Sequence, residues 1–111
     1  MRSISWLKAA RKAFEQFPRG AQERVLQALD LAAEGRKADI AKPMSGLGSG
    51  VFEIAVRYRT DAYRAVYAVQ LADAIWVVHA FQKKAKQGRR TPKSEIDLIR
   101  HRLRRLEELL K

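Results

Sequence analysis

The sequence contains no cysteine and no long uninterrupted run of apolar residues. Without cysteine, a disulfide framework, a thiol nucleophile and every cysteine-based zinc site are excluded. No apolar stretch approaches the roughly 18–20 residues of a membrane-spanning helix. The first 17 residues are basic but lack the apolar core and cleavage site of a signal peptide. We therefore expect a cytoplasmic protein with no membrane partner.

Acidic residues are scarce relative to basic ones. The 111 residues include 23 Lys and Arg against 12 Asp and Glu, a formal net charge of +11. Residues 83–111 alone carry 11 basic and 4 acidic side chains. Such a charge favours a polyanionic partner, such as RNA, DNA, an acidic protein surface or a membrane surface. A purely solubilising role for these side chains is the alternative.

Length and hydrophobic spacing predict one domain spanning residues 1–111, since domains typically have ~100–150 residues. Residues 4–17 begin with a short apolar alternation typical of a strand and continue at the three- and four-residue spacing of a helix. Pro18 and Gly20 interrupt this pattern. A second helix is predicted from about residue 21, and Gly35 is a suitable stop. Residues 36–50 contain one proline and three glycines and are predicted to form a loop.

The pattern then changes to the period of two that is typical of strands. Residues 52–58, 63–69 and 74–81 are predicted strands with short links, which favours an antiparallel meander. Thr91 is predicted to cap a C-terminal helix with Pro92 at its first position. The apolar stripe of that helix consists of Ile96, Ile99, Leu103, Leu106 and Leu110. The predicted fold class is α+β: a short N-terminal strand, two helices, a three-stranded meander and a C-terminal helix.

Four segments in this order carry a resemblance to a known family: residues 51–54 (VFEI), 63–67 (YRAVY), 79–84 (HAFQKK), and Thr91 with Pro92. Together they resemble the RelE/ParE toxin superfamily of bacterial toxin–antitoxin systems, and most of all its phage-type HigB branch. The resemblance implies a RelE-like fold and a metal-independent endoribonuclease, an mRNA interferase that enters the ribosome and cuts messenger RNA there. It also implies a cognate helix-turn-helix antitoxin as partner. We expect no cofactor and no metal.

Arg64 is the first candidate for a catalytic residue. A guanidinium can hold a phosphate through two parallel N–H bonds and stays charged at any working pH. The matching arginine in RelE-type toxins belongs to the active site. The alternative is a strand arginine that pairs with Glu53 or Asp61 across the sheet. If Glu53 shares the face of Arg64, it would orient Arg64 or act as a base.

Lys83 and Lys84 are the next candidates because they follow the last predicted strand, where the end of a strand can present side chains to a groove. The basic patch would extend through Lys86, Arg89 and Arg90, which we interpret as RNA-binding. A solvated basic loop is the alternative. Lysine suits proton transfer when neighbouring cations lower its pKa.

The remaining candidates each have two interpretations. His79 is either an acid–base group or a hydrogen-bonded core residue that shares a strand face with Val77. Tyr63 either stacks on an RNA base or packs in the core. Arg57 is expected on the face of Glu53 and is a further RNA-binding candidate.

The sequence departs from RelE at one strand. RelE carries two lysines where this chain has Glu53 and Ala55, so the proton-transfer scheme of RelE does not carry over and the general base stays open. Two other functions are compatible with the same features. One is a ParE-like inhibitor of DNA gyrase with the same fold, and the other is a non-enzymatic nucleic-acid-binding module.

Overall fold

The structure, a computed structural model, describes residues 1–83 and 90–111. Its elements are β1 (Ser3–Trp6), α1 (Lys8–Phe14), α2 (Arg19–Ala33), β2 (Ala41–Pro43), β3 (Val51–Tyr58), β4 (Asp61–Leu71), β5 (Ala74–Lys83) and α3 (Lys93–Leu109). The strands form one sheet in the order β1-β5-β4-β3-β2. β1 runs parallel to β5, and the other neighbours are antiparallel. The predicted α+β fold and its meander are confirmed.

Helices α1 and α2 cover one face of the sheet. Val25 and Leu29 of α2 are fully buried and belong to the same core cluster as Ile54 of β3. The aromatic rings of this layer form a chain of contacts, with centroid distances of 4.8 Å for Trp6–Phe14, 5.8 Å for Phe14–Phe17 and 4.9 Å for Phe17–Tyr63. Neighbouring rings at these distances add to the stability gained from burial alone.

Helix α3 covers the opposite face. Ile99, Leu103 and Leu106 are buried there in one cluster with Val66 and Val78 of the central strands. Alternate residues of β3, β4 and β5 therefore enter different layers. On β3 and β4 this alternation places Ile54 and Ala65 on the side of α1 and α2, and Glu53 and Arg64 on the side of α3.

A β-bulge separates His79 from Val77. The pairing of β4 with β5 shifts between Val66, which pairs with His79, and Tyr67, which pairs with Val77. An extra residue in one strand breaks the period-two alternation. Val77 is consequently buried on the side of α1 and α2, while His79 bonds to α3. The expectation that these two residues share a face is wrong.

The predicted loop over residues 36–50 contains an additional strand. In β2, Lys42 pairs with Glu53 and Pro43 pairs with Phe52, at the outer edge of the sheet. Proline is tolerated in a strand at an edge, where the missing N–H removes no bond from a central ladder. Three residues are too few to show an alternation, so the sequence pattern did not reveal this strand.

Both predicted helix starts differ from the observed ones. Helix α2 begins at Arg19, and Gly20 lies in its first turn, where a Cβ atom would come within 2.3 Å of the Tyr58 ring. Helix α3 has Pro92 as its N-cap without a side-chain capping bond, so the prediction that Thr91 caps it is wrong. Within the described parts of the chain, no helix combines the length and apolar character needed to cross a membrane.

Candidate active site

A cleft of about 600 Å³ opens on the α3 face of the sheet. Its walls come from β2 and the turn after it, from β3 and β4, and from the chain leading into α3. The lining residues are Lys42, Pro43, Met44, Ser45, Glu53, Ala55, Arg64, Arg90, Thr91 and Ile96. The cleft thus combines cationic side chains, the carboxylate of Glu53 and apolar surface.

Arg64 lies on β4, opposite Ala55 of β3 and Phe81 of β5. Its Nη1 donates a hydrogen bond of 2.6 Å to Oε1 of Glu53, and each of these side chains is only 13% exposed. The alternative in which Arg64 pairs with Glu53 is therefore observed. Because both residues also line the cleft, the pairing does not remove Arg64 from a position where a ligand can meet it.

Thr91 completes a cluster with these two residues. Its hydroxyl Oγ1 donates a hydrogen bond of 2.6 Å to Oε2 of Glu53, and it lies 3.5 Å from Nη1 of Arg64. Both oxygens of the Glu53 carboxylate are thus engaged, one by Arg64 and one by Thr91. The cluster joins β3, β4 and the start of α3 at the floor of the cleft.

Lys83 lies on the same face of the sheet as Arg64, since it pairs with Ala62, two residues before Arg64 on β4. It is 2% exposed, and its Nζ has no hydrogen-bond partner among residues 1–83 and 90–111. Burial lowers the pKa of Lys83, and the positive charge of Arg64 lowers it further, while the Glu53 carboxylate opposes both. Such an amine can lose its proton more readily than an exposed lysine.

His79 is held in the core by two residues of α3. Nη1 of Arg102 donates to Nδ1 of His79 at 2.8 Å, and Nε2 of His79 lies 2.6 Å from Oε1 of Glu95. A guanidinium has only donors, so Nδ1 accepts and the ring proton on Nε2 is donated to Glu95. Burial lowers the pKa of His79, with a contribution from Arg102, although Glu95 and Glu53 raise it. This arrangement supports the interpretation of His79 as a hydrogen-bonded core residue.

The other predicted RNA-binding residues divide into three groups. Arg57 is exposed on the face of Glu53, and Arg90 is exposed at the cleft. Tyr63 is buried in the opposite layer against Phe17, so its ring has no free face for a base, and we do not include it in the site. Lys86 and Arg89 lie outside the described residues, as does the catalytic candidate Lys84.

Sequence reasoning did not identify Lys42 or Thr91 as a residue of the cleft. Lys42 had no detectable signal, because it lies on the three-residue edge strand β2. Thr91 did have a signal, but a threonine before proline is the usual pattern of a helix start, and this ordinary interpretation hid its contact with Glu53.

Comparison with known proteins assigns the chain to a family. The model of the family described as phage-derived Gp49-like proteins matches residues 12–104. The chain belongs to the phage-derived Gp49-like family. The chain also resembles the crystal structure of the isolated Escherichia coli RelE toxin, with a TM-score of 0.61 and 16% identity over 78% of this chain and 89% of that one. No curated protein sequence matches the chain significantly.

The structural likeness confirms the predicted RelE-like fold of this Gp49-like protein. The low identity to RelE means that the likeness describes the fold alone. The cluster of Glu53, Arg64 and Thr91 is therefore interpreted from its own geometry.

Proposed function

We propose that this protein is the toxin of a type II toxin–antitoxin system, of the phage-type HigB kind, and that it cleaves messenger RNA on the ribosome. The family and the RelE fold support a toxin. The observation that carries the nuclease proposal is the hydrogen-bonded cluster of Glu53, Arg64 and Thr91 in an open cleft, with Lys83 on the same face.

The first part of the proposed mechanism is electrostatic. In RNA cleavage without a metal, the 2′-hydroxyl attacks the adjacent phosphorus, and negative charge accumulates on the non-bridging oxygens. In the proposed mechanism Arg64 holds these oxygens, which is supported by its position in the lining of the cleft together with Lys42 and Arg90. Preorganised cations of this kind are commonly the largest single contribution to catalysis.

The second part is proton transfer. The 2′-hydroxyl must lose a proton as its oxygen bonds to phosphorus, and the 5′-oxygen must gain one as its bond to phosphorus breaks. Lys83 is a candidate for either transfer because it lies on the face of Arg64 and because burial lowers the pKa of its amine. Glu53 either acts as the base or orients Arg64, and the second role agrees with the engagement of both its oxygens.

The proposed partners are the ribosome, its messenger RNA and a cognate helix-turn-helix antitoxin, and the proposed location is the cytoplasm. A cleft with three cations, Lys42, Arg64 and Arg90, suits an acidic or helical segment of an antitoxin as well as RNA. The antitoxin would then inhibit by covering the same surface that binds the substrate.

The experiment that tests this proposal uses purified protein, ribosomes programmed with a defined messenger RNA, and mapping of the new 5′ ends. We expect the wild type to cut the message, Arg64→Gln to cut it at least about 100-fold more slowly, and Arg64→Lys to be intermediate. Arg19→Gln is the matched control, because the Arg19 side chain is 93% exposed on α2 and distant from the cleft. Its rate should equal that of the wild type.

Three results would contradict the proposal. Intact messenger RNA together with gyrase-linked DNA breaks after induction would identify a ParE-like inhibitor. Ribosome binding without new 5′ ends would identify a non-enzymatic binding module. Cleavage by Arg64→Gln at the rate of the Arg19→Gln control would place the active site elsewhere.

A further inference from the structure

The hydroxyl of Thr91 connects parts of the chain that are distant in sequence. Thr91 precedes α3 by two residues, whereas Glu53 lies 38 residues earlier on β3 and Arg64 lies 27 residues earlier on β4. The 2.6 Å bond from Thr91 to Glu53 is as short as the bond from Arg64 to Glu53. The start of α3 is therefore tied to the charged pair at the floor of the cleft.

The hydroxyl is not used by the helix that follows. The N-cap of α3 is Pro92, and the backbone amides of Glu95 and Ile96 donate to the Pro92 carbonyl at 3.0 and 3.1 Å. No side chain caps this helix. A hydroxyl has a single proton to donate, and that of Thr91 goes to Glu53.

The bond from Thr91 determines how Glu53 is oriented. A carboxylate held through one oxygen can still rotate about its last torsion, which has only broad energy minima. Here Oε1 is held by Arg64 and Oε2 by Thr91, so the plane of the carboxylate is set by two anchors. Because a guanidinium is planar and directional, the orientation of Glu53 in turn sets the direction in which Arg64 presents its donors.

We propose that Thr91 is a positioning residue for the Glu53–Arg64 pair, holding Arg64 in the orientation in which it meets the scissile phosphate. This inference rests on the proposed nuclease function. Thr91 acts through Glu53 and contributes to the rate of the chemical step, whereas it contributes little to the binding of the message. Docking of α3 against the sheet brings Thr91 into place, so the same packing that buries Ile99 also completes the site.

The test compares Thr91→Val, which keeps the shape but loses the hydroxyl, with Thr91→Ser, which keeps the hydroxyl. Single-turnover cleavage on programmed ribosomes gives a rate constant and a half-saturating concentration for each full-length variant. We expect Thr91→Val to lower the rate constant about 10- to 100-fold with little change in half-saturation, since small misplacements of a catalytic group have effects of this size. Thr91→Ser should stay within about threefold of the wild type.

Ser94→Ala is the matched control, because Ser94 is an exposed hydroxyl in the first turn of α3. It should leave both parameters unchanged. Melting temperatures identify any variant that is poorly folded, and Thr91→Ala then serves as a second removal of the hydroxyl.

A double-mutant cycle separates action through Glu53 from a general structural effect. In a Glu53→Ala background, Thr91→Val should change the rate constant by less than about threefold, because the group that it positions is gone. If Thr91→Val lowers the rate constant by the same factor with and without Glu53→Ala, the inference is overturned. Cleavage by Thr91→Val at the wild-type rate, or a loss confined to half-saturation, would also overturn it. Failure of the wild type itself to cut the message would instead overturn the proposed function.

Discussion

The amine of Lys83 lies at the end of β5 in surroundings that largely exclude water. It is one of the two polar or charged side chains that are buried within the described residues, and its Nζ has no hydrogen-bond partner there. Burying a charged group without a partner is unfavourable for folding. The proposed proton transfer is a role that an apolar residue at this position could not perform.

We therefore expect Lys83→Met to stabilise the protein while abolishing cleavage. The free energy of unfolding should rise by about 1–2 kcal/mol, because a buried amine with no hydrogen-bond partner among residues 1–83 and 90–111 is replaced by an apolar chain of similar length. The rate of messenger RNA cleavage should fall by at least about 100-fold if Lys83 transfers a proton. Denaturant unfolding and the ribosomal cleavage assay measure the two effects.

Lys12→Met is the control for this substitution, since Lys12 is exposed on α1. Its unfolding free energy should change by less than about 0.5 kcal/mol. A destabilised Lys83→Met variant would show that the amine makes a favourable contact in the folded protein.

Residues of the site were easier to predict from the sequence where a charged side chain lies among apolar neighbours on a strand. Arg64 and Glu53 are charged residues with mostly apolar neighbours along their strands, and both were identified as candidates. Thr91 was missed because its hydroxyl has an ordinary local use, and only the tertiary structure shows that the hydroxyl is directed to Glu53. The role of Tyr63 was ambiguous because the alternation of residues along β4 does not show which face of the sheet the helices cover.

At the scale of elements, the contact between α3 and β5 includes a buried polar group. Arg102 and Glu95 of α3 hold the two ring nitrogens of His79, and Arg102 also donates to the carbonyl of Val78 at 3.0 Å. In the folded protein Nδ1 accepts a hydrogen bond from Arg102. Protonation would turn Nδ1 into a donor that faces the guanidinium, which has only donors. The neutral form of the ring therefore stabilises the packing of α3 against the sheet.

This arrangement predicts a pH dependence of stability. The pKa of His79 is lowered in the folded state from its ordinary value of 6.5, so below that value the unfolded chain binds a proton that the folded chain does not. Stability should therefore fall as the pH is lowered from 7.5 to 5.5, with a slope of at most about 1.4 kcal/mol per pH unit for one proton. Urea unfolding across this range measures the slope.

The chain has two histidines, which provides a matched pair of variants for this test. His79→Gln should reduce the slope, because glutamine does not titrate. His101→Gln should not, since His101 is exposed on α3. Equal slopes for the wild type and both variants would show that the carboxylates facing the ring, Glu95 and Glu53, or other groups govern the pH dependence.

Whole elements were easier to predict than their pairing. The periods of α2, α3 and the meander strands are long enough to read, and all were found near the predicted positions. Strand β2 and the bulge near His79 were missed because each depends on pairing with a neighbour and has no periodic signal of its own. These omissions affected the predicted site, because β2 contributes Lys42 to the cleft and the bulge places His79 on the side of α3.

For the molecule as a whole, the net charge of +11 should make RNA binding strongly dependent on salt. Each phosphate neutralised on a single strand contributes a slope of about −0.7 in log K against log salt concentration. Lys42→Ala should therefore reduce the magnitude of the slope by about 0.7, because Lys42 lines the cleft. Arg19→Ala, on the opposite layer, should leave it unchanged.

A 2′-O-methyl RNA oligonucleotide, which cannot be cleaved through its 2′-oxygen, allows this binding to be measured by fluorescence anisotropy at several salt concentrations. Equal slopes for the wild type and Lys42→Ala would mean that the cleft is not the surface that contacts RNA. A reduced slope for Arg19→Ala would locate RNA on the side of α1 and α2.

The cleft is assembled from residues 42, 53, 64 and 91, and the last of these is brought into place when α3 docks on the sheet. In a chain that is still being synthesised, α3 cannot dock before it has left the exit tunnel of the ribosome. The cleft of a nascent chain is therefore incomplete until Lys93–Leu109 has emerged.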